Sequence, residues 1–201
     1  MNKYTLLVLI TAIIAPITFI SCRESSDEDN EFEDWKNRNE QYFSDVYLKA
    51  KDCQDGSWKI IRNYSLEDTI NIDYDQNIVV EVINEGNGSG CPLFSDSVLV
   101  DYRGRLIPTI YHTSGYVFDQ SYTDDYNPLT ANPAKLYVGN TVDGFATALQ
   151  HMHIGDQWRV YIPYRMGYGS TDNSDIPAFS TLIFDIALRA YSRPGTPLPQ
   201  Y

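Results

Sequence analysis

The chain has few of the residues that usually carry metal or nucleophilic chemistry. Its 201 residues include three cysteines, at positions 22, 53 and 91, and three histidines, at 112, 151 and 153. Neither set has the spacing of a zinc site. Positive charge is also scarce: 15 Lys plus Arg against 27 Asp plus Glu leave a formal net charge of −12. So acidic a chain argues against a nucleic-acid partner, because phosphate binding needs clustered cations. There is no Gly-x-Ser-x-Gly elbow, no phosphate-binding glycine loop and no His-Glu-x-x-His helix. His151 and His153 flank Met152 and would diverge on a helix, and Cys91 beside Pro92 has no basic sequence neighbour to activate it. No metal and no cofactor is expected, and any catalysis must do without a strong acid or base. What is present is a core: 43% of residues are hydrophobic, enough to exclude wholesale disorder. Sixteen tyrosines point to a β-rich domain or an aromatic-lined site.

Between Lys3 and Arg23 no residue is charged, and Leu6 to Ile14 is almost continuously apolar. A basic start, an apolar run and small residues before a break predict a secretory signal over residues 1–21. Pro16 and the shortness of the run argue against a spanning helix. Phe19-Ile20-Ser21-Cys22 resembles the lipobox of bacterial lipoproteins, which implies lipid attachment at Cys22 and a membrane anchor. Residues 23–34 hold seven acids in twelve positions, so 22–34 is expected to be a solvated tether. It resembles the surface-export signals of Bacteroidetes lipoproteins, and it equally fits a spacer that repels an anionic membrane. The implied location is the cell envelope, on the periplasmic face of the outer membrane or the cell surface.

Residues 35–75 are read as an N-terminal extension. Trp35 to Lys51 lacks Gly and Pro and places Trp35, Tyr42, Phe43, Val46 and Tyr47 at helical spacings, stopping near Cys53-Gln54-Asp55-Gly56. Trp58 to Arg62 and Asn77 to Asn84 read as short strands. From Ser97 the alternation is clean. Val98, Val100 and Tyr102 share one strand face and Asp101 and Arg103 the other. Trp158 to Ile162 and Leu182 to Arg189 repeat the pattern, and Val142, Phe145, Leu149 and Met152 predict a helix over Thr141 to Met152. Antiparallel strands around one short amphipathic helix predict an α+β domain. Residues 192–201 are a Pro-rich tail.

A series of motifs then falls in a known order. Val98-Leu99-Val100-Asp101-Tyr102-Arg103-Gly104, Val117-Phe118-Asp119-Gln120-Ser121 and Leu136-Tyr137-Val138-Gly139 are followed by Val142-Asp143-Gly144-Phe145 and Met152-His153-Ile154-Gly155-Asp156. Ile162-Pro163-Tyr164-Arg165-Met166-Gly167-Tyr168-Gly169, Ile176-Pro177 and Thr181 to Leu188 complete it. Over residues 76–191 the chain resembles the FKBP-type peptidyl-prolyl isomerases. The resemblance implies a bent antiparallel half-barrel wrapped over one short helix, with an N-terminal helical extension added. It implies a proline pocket with Tyr102, Phe118 and Phe184 as aromatic walls and Phe145 as floor. Val142 would offer its backbone N–H and Tyr168 its hydroxyl, Asp119 would stand near the isomerising bond, and Ile176 would complete the rim. The expected partners are proline-containing polypeptides, with a macrolide as a further ligand and no nucleic acid.

The chain departs from the family pattern in places. Fifteen residues separate Tyr102 from Phe118, and the extra segment around Ile107 to His112 is expected to overhang the pocket. Phe145 replaces a frequent Trp, and Ala134 stands where some members have an aromatic. Two functions remain open on this reading: an isomerase for exported proteins, or a weakly active or inactive peptide-binding envelope lipoprotein. With Cys22 acylated, Cys53 and Cys91 form an even pair in an oxidising compartment. A disulfide between them is one expectation and two buried thiols the other.

Overall fold

The computed structural model describes residues 31–67 and 71–199. The signal segment, Cys22 and most of the acidic stretch lie outside the described residues. Seven strands form one antiparallel sheet: β1 (Trp58–Arg62), β2 (Asn77–Asn84), β3 (Ser97–Arg105), β4 (Val117–Gln120), β5 (Ala134–Tyr137), β6 (Gln157–Ile162) and β7 (Leu182–Ser192). Their spatial order is β1-β2-β6-β7-β3-β4, with β5 also paired to β3. Among the described residues two α-helices accompany it, α1 (Trp35–Asp52) and α2 (Asp143–Leu149). The architecture is the expected α+β sheet with an N-terminal helix.

Register decides which side chains share a face. One cross-strand row runs Trp58, Glu81, Arg159, Asp185, Arg103, Gln120. The adjacent row runs Lys59, Val80, Val160, Phe184, Gly104 and points the other way. That second face receives α2, whose six residues from Gly144 to Leu149 are all buried. Gly144 lets the helix settle on β6, because a Cβ there would lie 2.3 Å from an Ile162 side-chain carbon. The helix is shorter than the predicted Thr141–Met152. Val142 is extended at the N-cap and the chain leaves helical geometry after Gln150, while Met152 stays fully buried from the following turn.

The first face receives α1. Trp35 Nε1 donates to Ser180 Oγ at 2.9 Å, and buried Asn39 accepts the Thr181 N–H on Oδ1 at 2.7 Å. Phe43 is 1% exposed, and Tyr42 packs 6.4 Å from the Tyr161 ring. The extension is thus part of the folded body, bolted to the start of β7. So is the end of the expected tether. Phe32 meets Trp35 edge-on at 5.0 Å, and the Glu31 carboxylate accepts from Thr109 Oγ1 and lies 2.9 Å from His112 Nδ1. Glu31 is therefore held by the insert rather than solvated, whereas Glu33 and Asp34 are exposed.

Asp101, on the strand face opposite Tyr102, is 1% exposed because Arg189 and Tyr126 reach across to its Oδ2. One further expectation, the disulfide, is corrected. Cys53 and Cys91 are free thiols with separate local partners, and no disulfide joins them. Cys53 Sγ donates to Asp55 Oδ1 at 2.9 Å at the end of α1, whereas Cys91 Sγ lies 3.8 Å from His153 Nε2 beyond α2.

Candidate active site

Tyr102 on β3, Phe184 on β7 and Phe145 on α2 come together where the helix crosses the sheet. Their rings form a triangle of edge-on and tilted contacts, with centroids 6.0 Å apart for Tyr102–Phe145, 6.4 Å for Tyr102–Phe184 and 5.0 Å for Phe145–Phe184. Each such pair adds roughly 0.5–1.5 kcal/mol beyond simple burial. Phe118 on β4 stands edge-on to Phe184 at 5.5 Å. Gly104 makes that approach possible, because a Cβ at this position would lie 2.6 Å from ring carbons of both Phe118 and Phe184.

The rings enclose a cavity of about 210 Å³, open to solvent and lined by Tyr102, Asp119, Leu136, Asn140, Thr141, Val142, Phe145, Tyr168 and Phe184. Six of the eight expected site residues line it directly. Phe118 supports it from behind Phe184, and Ile176, although only 6% exposed, is not among its lining residues. The insert does not overhang the cavity. It turns to the other face, burying Leu106 and Ile107 and holding Glu31 through Thr109 and His112.

Polar groups are few. Tyr102 Oη donates to Asp119 Oδ2 at 2.7 Å, so the carboxylate is held at the mouth with its second oxygen available. Burial pushes the Tyr102 phenol up, and the bond to Asp119 and its negative charge add to this. Burial and then the Asp119 charge also raise the Tyr168 phenol, so both tyrosines stay protonated donors at neutral pH. The Val142 N–H has no backbone acceptor among the described residues, because it precedes the first turn of α2. Sequence reasoning did not assign Leu136, Asn140, Thr141 or Gly104. Leu136 and Gly104 lie inside the recognised motifs, but only ring packing in three dimensions reveals what they do. No group of three His, Cys, Asp or Glu side chains among the described residues could hold a metal ion.

The cavity is thus an apolar cup with an N–H and a phenol at its edge. Residues 92–189 match the family described as FKBP-type peptidyl-prolyl cis-trans isomerase. It is 37% identical over 112 residues to a macrophage infectivity potentiator of Trypanosoma cruzi, covering 55% of this chain and 51% of that protein. It is 36% identical over 108 residues to an FKBP-type 22 kDa peptidyl-prolyl cis-trans isomerase of Escherichia coli, covering 53% and 46%. The chain thus spans about half the length of these curated relatives. Among solved structures it resembles FkpA of Escherichia coli with a TM-score of 0.58 at 25% identity, covering 84% of this chain and 66% of that one. A peptidyl-prolyl cis-trans isomerase of Pseudomonas syringae matches with a TM-score of 0.56 at 25% identity, covering 79% and 96%.

Proposed function

We propose that the protein is a peptidyl-prolyl cis-trans isomerase acting on X–Pro bonds of exported polypeptides. The observation that carries this reading is the closure of Tyr102, Phe145 and Phe184 around one cavity that also presents Tyr168 and Val142. Amide rotation is slow because C–N resonance sets a barrier of ~18–20 kcal/mol. X–Pro bonds interconvert unaided in roughly tens to hundreds of seconds. Twisting the bond removes the resonance and reduces charge separation. A dry aromatic cup therefore favours the twisted form over the planar, more polar one. In this reading the proline ring sits against Phe145, the Val142 N–H and the Tyr168 hydroxyl hold flanking carbonyls, and Asp119 borders the rotating bond. No covalent intermediate is formed.

We infer further that Cys22 carries a lipid that anchors the protein in the cell envelope, and that the same cup accepts a macrolide. The first rests on the Phe19-Ile20-Ser21-Cys22 motif and the second on the cup's apolar lining. Metabolic fatty-acid labelling checks the anchor: Cys22→Ala should lose the label, and equal labelling of variant and parent would refute it. An exchange assay on a short X–Pro peptide checks the activity. The parent should accelerate isomerisation, and Phe118→Ala should slow it more than Tyr168→Phe does. A parent without activity that still binds the peptide in the cup would be a binding module instead.

A further inference from the structure

The glycine-rich break between β2 and β3 has no part in the aromatic cup. Gly86 and Gly88 let it lie flat on the turn that follows α2. A Cβ on Gly86 would collide with the Ile154 carbonyl oxygen, and one on Gly88 would stand 2.7 Å from the Ile154 Cβ. Two bonds fasten the contact: the Gly88 N–H donates to the Ile154 carbonyl at 3.1 Å and the Gly86 N–H to Asp156 Oδ1 at 2.7 Å. The break ends at Gly90, in the left-handed region at φ 72°, and delivers Cys91 beside this turn. Cys91 has no basic neighbour in sequence, but the fold supplies His153 from 62 positions away.

Three side chains stand there in line. Cys91 Sγ lies 3.8 Å from His153 Nε2, and the other ring nitrogen, Nδ1, lies 3.7 Å from Asp156 Oδ2. The first distance is long, as nucleophile–base contacts often are before a reactant arrives. Asp156 is fixed: its side chain is 5% exposed, Oδ1 accepts from Gly86, and Oδ2 accepts the His153 N–H at 2.7 Å. Thiol, imidazole and carboxylate in that order are a nucleophile, a base and a group that orients the base. The His153 side chain is 47% exposed and Cys91 is half-buried, so a small reagent reaches the sulfur. Burial and then the Asp156 charge raise the Cys91 thiol above its ordinary value. At neutral pH the sulfur therefore keeps its proton and needs an acceptor in order to attack.

We propose that Cys91 is a thiol–disulfide exchange site for small soluble disulfides, with His153 as its base. Sγ attacks one sulfur of the disulfide while His153 Nε2 takes the thiol proton. A bond forms between Sγ and that sulfur, the S–S bond of the reagent breaks, and the departing thiolate takes the proton back from Nε2. The Cys91 sulfur is oxidised and the departing sulfur reduced, so the disulfide itself is the oxidant. Such a reagent uses both halves of the relay, the base for attack and the acid for departure. Cys53 lacks this arrangement. Its Sγ donates to Asp55 Oδ1 at 2.9 Å, and that carboxyl, lowered to about 2 by the bonds from Cys53 and then Ser57, is too weak a base to hold a thiol proton. The site does not depend on the isomerase reading.

The full chain incubated near neutral pH with hydroxyethyl disulfide tests the proposal. Peptide mass spectrometry follows mixed-disulfide formation at Cys91 and Cys53 separately. Cys91 should react about tenfold faster than Cys53, a modest share of what general acid–base catalysis supplies. His153→Gln should slow Cys91 about tenfold and leave Cys53 unchanged. Circular dichroism should also be unchanged, because the variant retains the backbone N–H that Asp156 accepts. With a dithiodipyridine, whose departing thiol needs no proton, the same variant should slow Cys91 less. Cys91 reacting no faster than Cys53, or His153→Gln leaving the Cys91 rate unchanged, would overturn the site. Equal slowing with both disulfides would overturn the return of the proton through His153.

Discussion

The two faces of the sheet are built from alternate residues of the same strands, yet they are chemically opposite. On the α2 face, Tyr102, Phe184 and Phe145 make a cup with almost no charge, and its one carboxylate, Asp119, sits at the mouth. On the α1 face, Arg105 and Arg159 converge on Asp185 within a few ångströms of the same backbone. The strand period of two lets one sequence write both programmes at once. In the proposed reading the apolar face uses the absence of water, which lowers the cost of twisting an amide. The charged face uses fixed partners, with Arg105 and Arg159 both donating to Asp185.

The comparison breaks most severely on the apolar side. Phe184 is 5% exposed and touches three other rings, so Phe184→Ala should destabilise the fold by about 3–5 kcal/mol, measured by denaturant unfolding. The folded fraction should have no isomerase activity. On the charged side the corresponding change is smaller. Asn39→Ala leaves the buried Thr181 N–H without its acceptor and should cost about 1–3 kcal/mol, while turnover per folded molecule stays unchanged. If Asn39→Ala altered turnover without altering stability, the two faces would not be separable.

A smaller effect is confined to acid. Hydrogen bonds from Thr109 and then His112 hold the Glu31 carboxyl below its ordinary value of 4.5. A depressed folded pKa adds stability above the ordinary value and loses it as pH falls through the lowered one. Acidification below about pH 4.5 should therefore release the insert first, seen as lost hydrogen-exchange protection at His112, whose N–H donates to Thr109 Oγ1. Glu31→Gln should remove that pH dependence. Smallest in stability is Tyr168→Phe, which keeps the ring at a 40% exposed position and deletes one donor. Circular dichroism should not change, and turnover should fall modestly.

The sequence disclosed these faces unevenly. The bounds of β1 and β2 were legible because turn-rich breaks flank short alternating runs, and α1 because aromatic residues recur at helical spacing. The strands β4 and β5 have four residues each and mostly exposed side chains, so they leave little apolar alternation to read. The cup was legible through the family order of its motifs, since single aromatics in a strand look the same whether they pack or bind. Asn39 looks like a surface residue in its helix, and its burial depends on Thr181, 142 positions away. The shared Asp185 likewise depends on a register that joins Arg105 and Arg159 across three strands. Both are products of long-range pairing, which local pattern does not encode.

The central claim is that catalysis belongs to the apolar face alone, and one exchange measurement addresses it. Proton exchange spectroscopy on a blocked Ala-Pro peptide reads cis-trans interconversion directly, with the parent and Tyr168→Phe compared under identical conditions. The account predicts clear acceleration by the parent and a smaller one by Tyr168→Phe. Interconversion at the uncatalysed rate with folded parent protein, or equal acceleration by both proteins, would contradict it.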